Sequence, residues 1–360
     1  MNRHYSNIQA LRGIAVLLVI FYHLTGVQVQ SSAAFSLPKV LQFGAVGVDI
    51  FFLISGFLMM AITRGAPTGF TAAQQFLKRR LLRIYPMYWV VSLPITYLLF
   101  FSSRDLLTNL RLNPDAVRYI PDLSIYLLKS ALLFPQVNLP PLTISWTLIH
   151  EVYFYCVFTL LLLLPQRTHS WLLLLWSAVT LIFWCILQPT QYQPIRYLLC
   201  NPLTLEFTTG CLLAMLLTPQ RTLTNPHIFL LLGCALFTLF WLIWIAGHGY
   251  EFPIADDRVL YFLLPCALLL AGFVSMEYQG KILHPLLQTI GNASYSLYLT
   301  HIIFLSIGRK WWKLQGMEDA LVNHLLFWPS LFLIALAAGI LCYRYIETPL
   351  LRTGKKYFLQ

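Results

Sequence analysis

Arg12 and His23 stand eleven residues apart in the first apolar run of the sequence. At about 100° per residue this spacing returns to within about 20° of one helix face and separates the two groups by about 16 Å along it. One face would therefore carry a cation near one end and an imidazole near the other. Carboxylates recur inside other apolar runs, as Asp49, Glu151 and Glu206. Counted from the nearer end of each run, His23 and Asp49 lie about 9 Å deep and Glu151 about 12 Å, with Glu206 comparable. An imidazole with carboxylates at one depth is the set that a general base and its orienting partner need. His23 is accordingly the candidate base, with Glu151 and Asp49 as its catalytic companions and Glu206 behind them. His150 adjoins Glu151 but points about 100° away on a helix, so it is left outside the site.

A second constellation lies at Arg79-Arg-Leu-Leu-Arg-Ile-Tyr-Pro-Met-Tyr88. Arg80 and Arg83 are one helical turn apart, and guanidinium forks suit phosphate oxygens. The competing explanation is that cationic residues accumulate at the cytoplasmic end of a membrane span whatever their chemistry. Pro86 is expected in the first turn of a helix, where proline is tolerated. Gly44, Gly47 and Gly56 read as sites of close helix packing. Ser55 has no neighbour in sequence that could serve as its base, so it is not a nucleophile candidate.

The elements that must hold these residues follow from composition. Hydrophobic residues make up 58% of the 360, and charged residues only 10%, against roughly 25% charged in a soluble domain. A membrane-crossing helix takes about 20 apolar residues. Such runs fall at 8–29, 43–63, 84–101, 143–164, 171–187, 203–217, 228–246, 259–276, 293–308 and 325–346. The expected fold is an all-α integral membrane protein of about ten transmembrane helices, forming a single domain over 1–360 with no soluble extracytoplasmic domain. Ionisable groups inside such spans are costly, which is why those named above are functional candidates.

The first run is no signal peptide, since Arg12 and His23 interrupt it and no A-x-A-like site follows. Lys and Arg in the 64–83 loop and in the tail (Arg352, Lys355, Lys356), with Glu251, Asp256 and Asp257 opposite, place both termini in the cytoplasm of an inner-membrane protein. Arg309, Lys310 and Lys313 run against that bias. The net charge of +11 fits anionic lipid headgroups, and no nucleic acid is expected as partner. Seven cysteines without C-x-x-C spacing read as small apolar packers, and no metal site is expected. The long connection at 102–142 contains an apolar stretch, Leu123 to Phe134, too short to span and suited to the interface or to re-entry.

Taken in order, these segments resemble the acyltransferase 3 family of membrane O-acyltransferases over nearly the whole chain. Arg12 and His23 resemble its Arg, ten residues, His motif, and Gly44 to Phe57 its G-x-x-G-V-D-x-F-F-x-I-S-G-F stretch. Arg80, Arg83, Ile84, Pro86 and Tyr88 match R-x-x-R-I-x-P-x-Y; Ser145, Trp146, Leu148, Glu151, Phe154 and Tyr155 match S-W-x-L-x-x-E-x-x-F-Y. Gly291, Ser294, Tyr295, Tyr298, Leu299 and His301 resemble G-x-x-S-Y-x-x-Y-L-x-H, followed by Glu347 and Pro349.

The resemblance implies an acyl-coenzyme A donor, most simply acetyl-coenzyme A, entering from the cytoplasm into a central acyl-donor channel among the helices, and a carbohydrate acceptor on the outer side. Arg12, Arg80, Arg83 and Tyr88 would bind the coenzyme. Some relatives carry an added hydrolase-like domain, so this chain is expected to act alone or to hand its acyl group to a second, acyl-accepting protein. The rival class is a multi-span transporter, which would show inverted repeats and broken helices; neither is visible in the sequence.

Overall fold

The computed structural model describes residues 5–29, 39–101, 122–248, 258–316 and 321–358, and everything below refers to these. They form helices α1 (Ser6–Val29), α2 (Gly47–Thr63), α3 (Phe70–Phe101), α4 (Leu123–Ala131), α5 (Trp146–Leu161), α6 (His169–Leu187) and α7 (Pro194–Cys200). There follow α8 (Leu203–Leu216), α9 (Pro226–His248), α10 (Arg258–Tyr278), α11 (Pro285–Asn292), α12 (Ser294–Leu314), α13 (Leu321–Cys342) and α14 (Thr348–Phe358). No strand occurs among the described residues beyond one isolated bridge, Thr218 with Arg221. The all-α class thus holds, and helices satisfy every backbone polar group within their own segment, as a membrane requires of any span that is not part of a closed barrel.

Among the described residues eight helical stretches are long and apolar enough to cross a membrane. The remaining two expected spans correspond to α3 and α12, which are as long but carry clustered cations, Lys78 to Arg83 in one and Arg309 to Lys313 in the other. The helix α3 starts well before the apolar run that announced it. Lys and Arg are good helix formers, so the helix continues through the polar residues that end the hydrophobic signal. Pro86 is therefore not in a first turn but inside the helix, together with Pro94. The apolar stretch after Asp122 forms the short helix α4, capped by the Asp122 carboxylate, which accepts from Ile125 N at 3.0 Å; the rest of that connection, 102–121, lies outside the described residues.

The core is built from α1, α2, α8, α10 and α12, whose side chains share one continuous buried cluster. Small residues set how closely these helices approach. A Cβ at Gly56 would collide with the Phe207 carbonyl and one at Gly210 with the Leu53 carbonyl, so α2 and α8 cross backbone against backbone. Gly13 and Gly291 play the same reciprocal part between α1 and α11. A π-helical turn, Tyr343–Glu347, joins α13 to α14. It turns Glu347 fully into the interior, and π turns of this kind tend to occur at functional positions.

Candidate active site

The close packing of α1 on its neighbours leaves two cavities, one toward each end of that helix. The arginine cavity, with about 820 Å³ of empty volume, is lined by Arg12 of α1, Arg80 and Arg83 of α3, and Glu151 and Tyr155 of α5. The histidine cavity, about 1570 Å³, contains His23 of α1, Tyr22, Arg258 of α10 and Arg309. Val48 and Tyr298 line both, so the two spaces meet at a partition made of one aliphatic and one phenolic side chain. The Tyr298 hydroxyl donates to the Ile144 carbonyl at 2.9 Å and lies 2.8 Å from Thr147 Oγ1, which fixes the ring in place.

In the arginine cavity the cations are held by protein partners, some of which line the cavity themselves. Arg83 pairs with buried Glu347 and lies over the Tyr295 ring at 5.4 Å. The other Glu347 oxygen accepts from Ser296 Oγ at 2.6 Å. Arg80 sits over Phe76 and Tyr155, and its Nε has no hydrogen-bond partner among the described residues. Arg12 bonds Gln9 Oε1 at 3.3 Å and lies within electrostatic reach of Arg83, Glu151 and Glu347. Glu151 accepts a short hydrogen bond from Tyr155, one turn along the same helix. Three guanidiniums therefore face two carboxylates, and the surplus positive charge in a confined space suits an anion with several oxygens.

The histidine cavity has different chemistry. His301 Nδ1 lies 3.1 Å from the Leu297 carbonyl, which can only accept, so this nitrogen carries the proton and Nε2 presents a lone pair. That lone pair is 3.3 Å from His23 Nδ1, which is also 3.0 Å from the Val19 carbonyl. With acceptors on both sides, His23 Nδ1 must be the protonated nitrogen. Its Nε2 is then an unprotonated base and has no hydrogen-bond partner among the described residues. The second imidazole holds the tautomer of the first, the part usually taken by a carboxylate.

These placements revise several expectations. Arg12, Arg80 and Arg83 do meet in one cavity, and Glu151 belongs with them rather than with His23. Asp49 is not beside His23 either: it is fully buried, with Arg258 Nε at 3.3 Å and Glu206 adjacent. Equal depth in the bilayer is one coordinate of three, and the carboxylates project from other helices in other directions. Tyr88 lines neither cavity; its hydroxyl donates to the Ser130 carbonyl at 2.7 Å and ties α3 to α4. His301 and Glu347 stand in motif segments whose spacing assigns neither a task, and Arg258 stands at the edge of a span, where a cation is unremarkable. Among the described residues no group of His, Cys, Asp and Glu is placed to hold a metal ion.

The geometry can be set beside known proteins. The family model described as an acyltransferase domain matches residues 5–344. The chain is similar to the O-acetyltransferase OatA of Staphylococcus aureus strain NCTC 8325 / PS 47, with 28% identity over 383 residues, 99% of this chain and 58% of the relative. The OatA of S. aureus strain COL matches to the same extent, 28% over 383 residues with 99% and 58% coverage. The chain thus spans 58% of the length of these curated relatives. No solved structure matches it.

Proposed function

The chain belongs to the acyltransferase 3 family, and on that footing we propose that it transfers an acetyl group from acetyl-coenzyme A to a hydroxyl of an extracytoplasmic or lipid-linked glycan. The carrying observation is that one helix, α1, places Arg12 in a cationic cavity and His23 in a second cavity that meets the first at Val48 and Tyr298. The coenzyme phosphates lie against Arg12, Arg80 and Arg83, and the pantetheine arm runs along α1 past the partition, about 16 Å from one end of the face to the other. The thioester then arrives beside the imidazole. His23 Nε2 takes the proton of the acceptor hydroxyl, the oxygen attacks the thioester carbonyl, and the carbon–sulfur bond breaks with the thiolate as leaving group. The relatives' name supports acetyl as the acyl group.

In this reading the arginine cavity faces the cytoplasm, as do both termini, and the histidine cavity faces outward. The test is release of free coenzyme A thiol from acetyl-coenzyme A by the solubilised protein, together with acetyl content of the cell-surface glycan. Thiol release with a gain of glycan acetate is the expected result. Movement of a labelled substrate across vesicles with no thiol release would replace the enzyme by a carrier.

A further inference from the structure

A third cavity opens beside His23 that the reaction above does not use. It lies between the 135–140 segment, the start of α5 and α7, holds about 1070 Å³ of empty volume, and shares Leu139, Trp146 and Arg258 with the histidine cavity.

His150 belongs to its wall. The ring Nδ1 lies 3.1 Å from the Trp146 carbonyl, which can only accept, so Nδ1 is the protonated nitrogen and Nε2 offers a lone pair. That Nε2 is buried and has no hydrogen-bond partner among the described residues. Buried polar atoms are nearly always paired, and an exception calls for an explanation. Around it the wall combines aromatic bodies with planar amides. Trp146 stands edge-on to the imidazole at 5.7 Å between centroids, and Tyr197, Gln136, Asn138 and Gln191 line the cavity too, set among prolines and aliphatic side chains. Rings present flat apolar faces, and each amide sets a donor beside an acceptor, which suits vicinal hydroxyls.

We infer that this cavity is a subsite for the sugar next to the one being acylated, with His150 Nε2 accepting a hydrogen bond from one of its hydroxyls. The inference rests on the reading that the acceptor is a carbohydrate. An alkyl chain of a lipid would fill the same space but would leave Nε2 unpaired against hydrocarbon, which is unfavourable. A hydroxyl donor satisfies it. Continuity through Trp146 and Arg258 means that a glycan with one ring at His23 has its neighbour here.

The experiment compares wild type with His150→Phe, His150→Gln and the wall variant Asn138→Leu/Gln191→Leu, expressed in cells lacking the native gene. Alkali-labile acetate on total cell-surface glycan is measured beside acetyl-coenzyme A binding by the solubilised protein. His150→Phe should lower glycan acetate about tenfold, with donor affinity within about twofold of wild type. Gln, which keeps an acceptor, should retain most acetylation, and the double wall variant should lower it with His150 intact. Wild-type acetate from both His150→Phe and the wall variant would overturn the subsite while leaving the acyltransferase reading in place. Wild-type protein that adds no acetate to glycan would instead overturn that reading, and the subsite with it. A His150→Phe protein that loses donor binding is misfolded, and the wall variant then decides. Acetate lost in all variants and restored by adding a lipid-linked but not a soluble acceptor would assign the cavity to a lipid chain.

Discussion

The two cavities along α1 are finished to different degrees. In the arginine cavity nearly every charged group has a protein partner at its back: Glu347 behind Arg83, Tyr155 beside both Arg80 and Glu151. In the histidine cavity the network stops one atom short, at His23 Nε2, after His301 and the Val19 carbonyl have fixed the other ring nitrogen. A site that only binds is best made rigid and satisfied, because binding a polyanion needs preorganised donors. A site that moves a proton needs an unsatisfied base aimed at a space the substrate can enter. Under the proposed function, this difference assigns donor binding to one end of α1, the clamp, and proton transfer to the other.

The comparison is broken most directly at His23. His23→Ala should lower transfer by about 10²–10⁴-fold while leaving donor affinity near wild type, read as glycan acetate beside equilibrium donor binding. Equal losses of binding and transfer would mean that the two ends do not divide the work in this way.

At the clamp the expected loss is smaller and is complicated by structure. Arg83→Ala removes a charge-assisted contact worth about 1.5–3 kcal/mol, roughly 10–150-fold in donor affinity. It also leaves Glu347, fully buried, without its cation, a defect that costs about 3–5 kcal/mol in stability. Adding Glu347→Gln should recover thermal stability but not donor affinity. Recovery of both would show that Arg83 acts through the fold alone. Lys should rescue partly, since it carries the charge without the fork.

His301 should matter less than either. His301→Leu leaves the Val19 carbonyl to hold His23 Nδ1, so transfer falls about tenfold or less, and Gln, whose carbonyl can accept from Nδ1, should recover much of it. The reading that His301 acts through His23 requires that His23→Ala/His301→Leu be no worse than His23→Ala. A further loss in the double variant would give His301 a separate task.

How much of this the residues announce on their own depends on whether one helix or two is involved. The Arg12–His23 face was legible because both groups sit on α1, where period and rise convert spacing directly into geometry. The division into two cavities was not legible, because side chains of other helices, Val48 and Tyr298, make the partition between them. The partner of His23 was not legible: His301 reaches it from α12, 278 residues along the chain, and depth in the bilayer does not say which helices adjoin. For the same reason Glu151 and Asp49 matched His23 in depth and yet joined an arginine cluster and Arg258 respectively. Helix ends were misplaced where charge ended the apolar signal without ending the helix, as at α3.

Tyr88 supplies the smallest effect and the sharpest control on the clamp. Its motif position between Arg83 and the end of the apolar run suggested coenzyme contact, but the ring is buried to 1% exposure and its hydroxyl points at α4. Three α3 side chains act there together. Tyr85 donates to the Leu132 carbonyl, Tyr88 to Ser130 and Trp89 to Ala131, at 2.7, 2.7 and 2.9 Å. Carbonyls at a helix C-terminus lack intrahelical donors, so these residues cap α4 and hold it against α3. Tyr88→Phe should therefore leave donor affinity unchanged. The stability loss should be about 1 kcal/mol, at the low end for a buried acceptor, because the Ser130 carbonyl keeps a second donor, Leu133 N at 3.2 Å. Thermal unfolding and donor titration of the one variant check both halves. A clear fall in donor affinity without loss of stability would return Tyr88 to the coenzyme site and extend the clamp beyond the three arginines.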